Sequence, residues 1–585
     1  MAARPSRPTV PTMNAPQTPN WPGRIALAAS VALIVGYALL APRTPTRTCA
    51  AGTVSLAVAA SQEKSALLRE LAQAYERGDA RVGERCVSVQ ILEKASGDAE
   101  QALARGWEET SDGPRPDVWS PASTAWTVLL REHRSARDAA GGLVPQASPS
   151  LLQSPLVLAM PVPMAEALGW PNAEIGWSDV LALARDPRGW AARGHPEWGR
   201  FRLGKTDPRI STSGLHALVG AFFAATGRSA DLTEADVADA RVVAFVKGVE
   251  SSVVHYGETV STFVRNLRAA DQRGTALTYV SAIAIEEKQV WDYNQGQNGA
   301  RPAIPLAAVS PKEGTLVADH PYVVLNAPWV DAPKRDAAAG FLAYLQGTEA
   351  QARFRAVGFR DKDGRGGPEL ALANGIVPAG PAIVISPPAP TVLAAIQRSW
   401  DDVRKRARVL MVLDVSGSMA GTKIDLMKRA AAGAIDGFAA DDELAIWAFS
   451  GGRQEIASLG AVGPRRDELK RGIGTLVADG STALYASARA GVTFLRSRAD
   501  DSRINAVLLL TDGKNEDADR DLDGLLASLR TEDETARVRV FTIGYGDDAD
   551  RTTLQKIAEA SRAAFYDASK PATIDRVFRD VVSNF

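Results

Sequence analysis

The chain has 585 residues, too many for one core and enough for about four packing units at roughly 150 residues each. Hydrophobic residues make up 45 % and charged residues 23 %, the proportions of a soluble globular protein, which argues against a disordered, collagen-like or multi-span membrane chain. With 67 Lys and Arg against 68 Asp and Glu the net charge is -1, so no global positive excess exists to bind a nucleic-acid backbone. Two cysteines and five histidines, all before residue 321, are too few for a multi-zinc, haem or iron–sulfur protein. Metal chemistry in the C-terminal half therefore has to use oxygen.

Residues 1–24 contain many prolines and no acidic residue and read as a disordered tail. Residues 25–41, IALAASVALIVGYALLA, carry no charge and reach the lower length limit for a helix crossing about 30 Å of hydrocarbon. Cutting after Ala41 would place Leu39 where a signal peptidase prefers a small residue, and Thr46, Arg47 and Thr48 disqualify Cys49 as a lipoprotein cysteine. The segment thus reads as an uncleaved transmembrane anchor; the alternative is the core of a signal peptide. Arg4, Arg7 and Arg24 before it, against Arg43 and Arg47 after it, bias the N-terminus towards the cytoplasm and the bulk of the chain towards the outside.

From residue 53 the pattern alternates strand and helix: TVSLAVA, SALLRELAQAY, VSVQIL, DAEQALARGW, PDVWS. This is the rhythm of a parallel sheet with covering helices. Cys49 precedes the strand Thr53 to Ala59 and Cys86 the strand Val87 to Leu92. Consecutive βαβ strands are usually neighbours, so the two cysteines can form a disulfide suited to an oxidising exterior; the alternative is two unpaired thiols. LVLAM (Leu156 to Met160) opens a second stretch, and ALTYVSAIAI and YVVLNAP return to strand character, which fits two lobes over 50–375. Between Ile376 and Pro390, IVPAGPAIVISPPAP holds five prolines that cannot continue a helix or serve a central strand. We read 376–405 as a linker plus a short helix capped by Thr391. In 406–585 the runs VLMVLD, LAIWAF, INAVLLLTD and VRVFTIGYG are continuously apolar, as strands buried on both faces should be. Ile424, Met427, Ala431, Ile435 and Phe438 mark one helix face between the first two.

Asp414-Val415-Ser416-Gly417-Ser418-Met419 follows the first of these strands, where ligands collect in a doubly wound sheet. Asp479 to Tyr485 (DGSTALY) and Leu510 to Gly513 (LTDG) supply two further oxygen-bearing loops. Such ligands suit a hard cation such as Mg2+, whose charge two carboxylates balance. With Ser416, Ser418 and Thr482 neutral, the ion stays electrophilic enough to accept an anionic oxygen from outside. The competing reading is that Asp414 and the serines cap the following helix.

DVSGSM, GSTALY and LLTDG resemble the metal-ion-dependent adhesion site of von Willebrand factor A domains. The resemblance implies a Rossmann-like sandwich over 406–585. It also implies a Mg2+ or Mn2+ ion at Asp414, Ser416, Ser418, Thr482 and Asp512, and divalent-dependent binding of a protein partner that presents a carboxylate. The preceding region is similar to bacterial extracellular solute-binding proteins, from TVSLAVAASQEKSALLRELAQAY through PDVWSPASTAW and KTDPRISTSGLHAL to PKEGTLVADHPYVVL. That resemblance implies a two-lobed, periplasmic-binding-protein-like domain of type II with a small solute between its lobes. Helix N-termini can hold an anion in such a cleft, which singles out Ser61, Ser120, Ser123, Ser211, Thr212 and Ser213; ordinary helix capping explains them equally well. Glu258 and Glu286 also fall in segments able to face the cleft and weaken a simple anion reading.

Enzymatic readings lack their parts. Gly513-Lys514 is followed by Asn515 and preceded by no matching glycine, so no phosphate-binding loop exists. His133, His195, His216, His255 and His320 show neither H-E-x-x-H nor a serine elbow to partner, and read as surface or core histidines. A metal-assisted hydrolase has no evident base beside Asp414 and Asp512. The expectation is a non-enzymatic α/β protein of a bacterium, anchored in the cell membrane by a single N-terminal helix, with a solute-binding-like domain followed by a von Willebrand factor A domain that adheres through Mg2+. The alternative is the binding component of an importer, or a solute sensor.

Overall fold

The first strand, β1 (Thr53–Ala60), alternates at its start and is fully buried over its last three residues, as a strand entering a core must be. After α1 (Gln62–Arg77) and the two-residue β2 (Arg81–Val82), β3 (Arg85–Glu93) lies parallel to β1 with Thr53 opposite Cys86. Both cysteines are disulfide-bonded. Then come α2 (Ser96–Arg105), β4 (Val118–Ser120), also parallel to β1, and α3 (Thr124–Arg134). The computed structural model describes residues 49–135, 142–257, 259–297, 299–499, 501–531 and 537–585. The tail expected over 1–24, the span expected over 25–41 and Glu258 lie outside the described residues. Among the described residues no helix is long and apolar enough to cross a membrane.

The chain crosses to a second sheet at β5 (Leu152–Pro161) and continues through β6 (Leu203–Gly204), α4 (Thr212–Thr226), α5 (Val260–Gln272), β7 (Ala282–Glu286), α6 (Glu287–Gln295), β8 (Leu306–Val309) and β9 (Val317–Ala318). It returns to the first sheet at β10 (Val323–Val324) and to the second at β11 (Arg360–Asp361). The strand orders are β10-β4-β1-β3-β2 and β11-β5-β7-β6, with β8 and β9 also on β5. Two strand-like runs are shorter than the sequence suggests. Ala276–Tyr279 is a helical turn that buries Ala276 and Tyr279, and the strand begins at Ala282. Of YVVLNAP only Val323 and Val324 pair, because the Leu325 and Asn326 N–H groups turn away to donate to Asp117 O and Leu143 O.

The proline-rich segment is irregular but not free-standing. Thr315 N donates to Ile383 O and Ile385 N to Thr315 O, so the segment runs along the second lobe. The helix after it, α7 (Pro390–Arg398), starts at Pro390 with Ala389 at its cap position. Thr391 is therefore inside the first turn and not the cap, because proline's fixed φ suits the first helical position.

The third sheet is built from β12 (Arg406–Asp414), β13 (Glu443–Phe449), β14 (Arg453–Ala461), β15 (Arg503–Thr511), β16 (Arg539–Tyr545) and β17 (Phe565–Ala568) in the order β14-β13-β12-β15-β16-β17. All pair in parallel except β14. Helices α8 (Thr422–Ala434), α9 (Leu484–Arg496), α10 (Arg551–Ala560) and α11 (Ile574–Val582) are among those that cover it. The face Ile424, Met427, Ala431, Ile435 and Phe438 is buried throughout. The edge strand β14 carries exposed Arg453, Gln454 and Glu455; an edge needs no continuous apolar run, which is why its sequence is silent.

Residues 53–585 form one compact unit, and a single apolar cluster includes Trp126, Leu218, Trp400 and Met411. The third-sheet region is also bonded directly to the second lobe. Tyr256 Oη donates to Glu250 Oε2 at 2.9 Å and accepts from Lys405 N at 2.8 Å. Tyr256 N donates to Asn584 O at 3.0 Å, and Asn266 Nδ2 donates to Arg562 O at 3.2 Å. Removing the hydroxyl in Tyr256→Phe leaves a buried carboxylate oxygen and a backbone N–H unpaired, and should destabilise the chain by about 2–3 kcal/mol; a loss below about 0.5 kcal/mol in urea unfolding would show the network to be dispensable.

A second contact carries charge. Burial raises the Asp98 carboxyl of α2, and burial together with Asp98 raises Asp580 of α11 to about 7, against the pull of Arg576, Arg579 and Lys94. The folded chain therefore binds more protons here than the unfolded one. Stability from this group is full below the unfolded value near about 4 and is lost as pH rises through about 7. Asp580→Asn should flatten that loss, gaining about 1–2 kcal/mol on the wild type between pH 5 and pH 8; parallel pH profiles would contradict the assignment.

Candidate functional site

The carboxyl ends of β12 and β15 place Asp414 and Asp512 side by side at one edge of the third sheet. Asp414 Oδ1 accepts from Ser416 N at 2.7 Å, and Oδ2 accepts from Thr511 Oγ1. Ser416 Oγ lies 3.0 Å from Ser418 Oγ, which donates to Asp512 Oδ1 at 2.6 Å. Lys423 Nζ, from the first turn of α8, donates to Asp512 Oδ2 at 2.6 Å. Asp414, Ser416, Thr482 and Asp512 are buried and Ser418 is exposed. Burial pushes the Asp414 carboxyl up, opposed by the Thr511 and Ser416 hydrogen bonds.

Backbone bonds lock the three loops together. Asp479 N donates to Val415 O at 2.7 Å, Gly417 N to Gly480 O at 2.9 Å, Ala483 N to Ser450 O at 2.7 Å and Glu516 N to Thr482 O at 2.8 Å. Gly480 has φ +85°, a conformation that favours glycine, and a Cβ there would crowd Ser450 Oγ at 3.2 Å. A Cβ on Gly513 would lie 3.3 Å from Thr482 Oγ1 and 3.9 Å from Ser418 Oγ: glycine there leaves a cradle between the loops. Nor do these oxygens cap the next helix, for α8 starts after Gly421 without a side-chain cap and the short turn Gly417–Met419 lacks one from Ser416. Five oxygen side chains around a small space, two of them carboxylates, fit a hard divalent cation.

The second concavity is a cleft of about 1330 Å³ between the first two sheets. Its wall includes Ser61 and Glu63 at the start of α1, Ser96 at the start of α2, Ser211 to Ser213 at the start of α4, Glu286 at the end of β7, and Glu559 and Arg562 from the third-sheet region. Residues 56–360 match the model of the bacterial extracellular solute-binding protein family. The chain belongs to this solute-binding family. Residues 409–580 match the von Willebrand factor type A domain, so a solute-binding domain is followed by a von Willebrand factor A domain. An uncharacterized protein of Mycobacterium tuberculosis is 24 % identical over 94 % of this chain and 81 % of its own length. An uncharacterized protein of Synechocystis is 30 % identical over 32 % of this chain and 44 % of its own length. Among solved structures, a von Willebrand factor type A protein from Catenulispora acidiphila is 26 % identical over 31 % of this chain and 43 % of that one, with a TM-score of 0.28.

Within the solute-binding domain the cleft takes in only part of the hydroxyl set singled out by the sequence. Ser61, Ser211, Thr212 and Ser213 line it, but Ser120 and Ser123 do not. Ser120 is buried, its backbone carbonyl accepting from Ser61 N. Ser123 caps α3, accepting from Ala125 N at 3.2 Å, and lies 2.9 Å from His216 Nε2; burial pushes that imidazole down to about 3. Even on the wall, the Thr212 hydroxyl is committed to Trp126 Nε1 at 2.8 Å, and the Ser61 hydroxyl donates to Glu63 and accepts from Lys64 at 2.6 Å. Free hydroxyl capacity for a solute is thus concentrated at Ser211 and Ser213.

In the A domain, sequence reasoning missed Thr511 and Lys423, which bond the two carboxylates. Thr511 directly precedes Asp512 and could have been read from the strand end; Lys423 gives no such signal. Gly513→Ala should place a methyl group in the cradle and weaken Mg2+ or Mn2+ affinity at least about tenfold, with metal-free stability within about 1 kcal/mol of wild type. Unchanged affinity by calorimetric titration would show that the cradle is not where an ion sits.

Proposed function

We propose that the protein is a bacterial surface binding protein that adheres through a divalent ion in its A domain while its cleft takes a small solute. Mg2+ or Mn2+ is held by Asp414, Ser416, Ser418, Thr482 and Asp512, and a carboxylate from a protein partner completes its shell. The reading is carried by one observation: three loops locked by backbone bonds bring two buried carboxylates and three hydroxyls to the mouth of a single cradle. The apolar segment 25–41 anchors the chain in the cell membrane with its bulk outside, and the bonded cysteines suit that exterior. The chemistry proposed is binding, without catalysis.

A second reading, a solute sensor, is favoured by the presence of Glu559 and Arg562 of the A domain in the cleft wall. A solute touching that wall contacts both domains, so its binding energy can bias the metal site. The same cleft would serve an importer component if the solute were instead handed on.

A metal-stripped full chain should gain stability with Mg2+ or Mn2+, by about 2.7 kcal/mol at a hundredfold excess over Kd. An immobilised acidic peptide should bind only when the ion is present. In Asp414→Ala both effects should vanish while the metal-free melting profile stays cooperative. Normal peptide binding by that variant in Mg2+ would sink the metal-bridge reading. Sulfate, glucose, arginine and putrescine tested by thermal shift decide whether the cleft is occupied, and an altered Mg2+ affinity with solute present would select the sensor.

A further inference from the structure

Each carboxylate oxygen of Asp414 and Asp512 already has a donor, and one of those donors is a cation. Ser416 N and Thr511 Oγ1 donate to Asp414, and Ser418 Oγ donates to Asp512 Oδ1. Asp512 Oδ2 accepts from the Lys423 ammonium at 2.6 Å. The base of this lysine is fixed, for Tyr545 Oη donates to Lys423 O at 3.0 Å. Its tip has room. The side chain passes Gly546, whose φ is +77°, and a Cβ there would stand 3.3 Å from Lys423 Cε and 3.4 Å from Nζ; glycine keeps that path clear. A second carboxylate, the exposed Asp548, has its Oδ2 4.0 Å from the same Nζ. A compact charge on a flexible four-carbon stem thus has one seat inside the site and another at its rim.

We infer that Lys423 is a built-in counter-cation that sets the affinity and the charge selectivity of the Asp414 and Asp512 site. Its ammonium and a divalent ion exclude one another at Asp512, and the arriving ion sends Lys423 to Asp548. The inference rests on the divalent-ion reading of this site. An ion about 2.1 Å from Asp512 Oδ2 would have the ammonium roughly 5 Å away, in a partly desolvated setting where like charges repel far more strongly than in water. Leaving Asp512 breaks a pair with a buried carboxylate, and the exposed pair formed at Asp548 returns little of that energy. A singly charged ion offers Asp512 no more charge than the ammonium it must evict, whereas Mg2+ or Mn2+ offers twice as much. The lysine therefore admits dications and turns Na+ and K+ away, and Mg2+ binds more weakly than the oxygens alone would allow. A purely structural lysine would act in the opposite sense: its loss would loosen the ligand set and weaken the ion's hold.

The test is calorimetric Mg2+ titration of the metal-stripped full chain. Lys423→Met keeps the stem and removes the charge; it should bind Mg2+ at least about tenfold tighter than wild type, while its metal-free melting temperature falls because Asp512 loses its partner. Lys423→Arg keeps the charge and should stay within about threefold of wild-type affinity. Asp548→Asn removes the rim seat and should weaken Mg2+ binding about two- to threefold with metal-free melting unchanged. Na+, set against tetramethylammonium chloride at equal ionic strength, should compete with Mg2+ in Lys423→Met and not in wild type. Mg2+ affinity in Lys423→Met equal to or below that of wild type overturns the inference, as does Lys423→Arg binding as tightly as Lys423→Met. Should Lys423→Met not fold without the ion, wild-type crystals soaked in Mn2+ decide it. An anomalous peak beside Asp512 with Nζ gone from Oδ2 supports the exchange, and a peak with Nζ still on Oδ2 overturns it. No Mg2+ binding by wild type or any variant defeats the divalent-ion reading together with this inference; wild-type binding that Lys423→Met fails to tighten defeats this inference alone.

Discussion

Tyr256, Glu250 and Lys205 fix the rest of the molecule. All three are buried: Lys205 pairs with one oxygen of Glu250, Tyr256 donates to the other, and the ammonium lies 5.0 Å over the Trp400 ring. None could stand alone, because breaking a buried pair leaves an uncompensated charge. Burial and the neighbouring carboxylate push the Tyr256 phenol well above its usual range, so it remains a donor to Glu250 while its oxygen accepts from Lys405 N. Lys405 immediately precedes β12, the strand that ends at Asp414. One buried polar knot in the second lobe thus sets where the sheet that carries Asp414 begins.

From that anchor the sheet does the positioning. β12 and β15 lie parallel and in register from Arg406↔Arg503 to Leu413↔Leu510, so their first free residues emerge together, and Asp414 meets Thr511 and Asp512 without long side chains having to search. Short side chains on strand ends lose little entropy when fixed, which suits a site that must hold geometry within tenths of an ångström. The cleft is built differently. Its groups come from helix starts and strand ends of two sheets joined by crossings at β5, β10 and β11, and many of its side chains are already bonded to each other.

That difference explains what could be read from sequence. The A-domain strands announce themselves because strands buried on both faces must be apolar along their length, and the candidate loop is contiguous from Asp414 to Ser418. The edge strand β14 is hidden by its exposed charges, and the turn at Ala276–Tyr279 by residues equally at home in a strand. In the cleft, Ser120 and Ser123 have the right type and spacing for a helix-start site, yet Ser123 serves as a cap and Ser120 points into the core. His320 reads as one more core histidine, and is one by burial. Its partners Glu63 and Glu286 are distant in the chain, and only the return of the chain at β10 brings the three together.

The two carboxylate clusters share a device. Lys423 binds Asp512 in the A domain, and Lys64 stands among Glu63, Glu286 and Asp319 in the cleft. Paired carboxylates in a desolvated site repel one another and would rise in pKa or push the loops apart. An internal ammonium offsets part of that repulsion, so neither site has to borrow an ion to fold. The remaining carboxyls answer the same constraint differently: burial pushes Asp414, Asp319 and, furthest, Glu286 up from the ordinary carboxylate range. A lysine fixed on one oxygen also keeps that oxygen in position, so the remaining donors face the open side already arranged. Both clusters therefore carry a cation of their own, and they differ in donor chemistry, oxygen alone at the sheet end and imidazole with oxygen in the cleft.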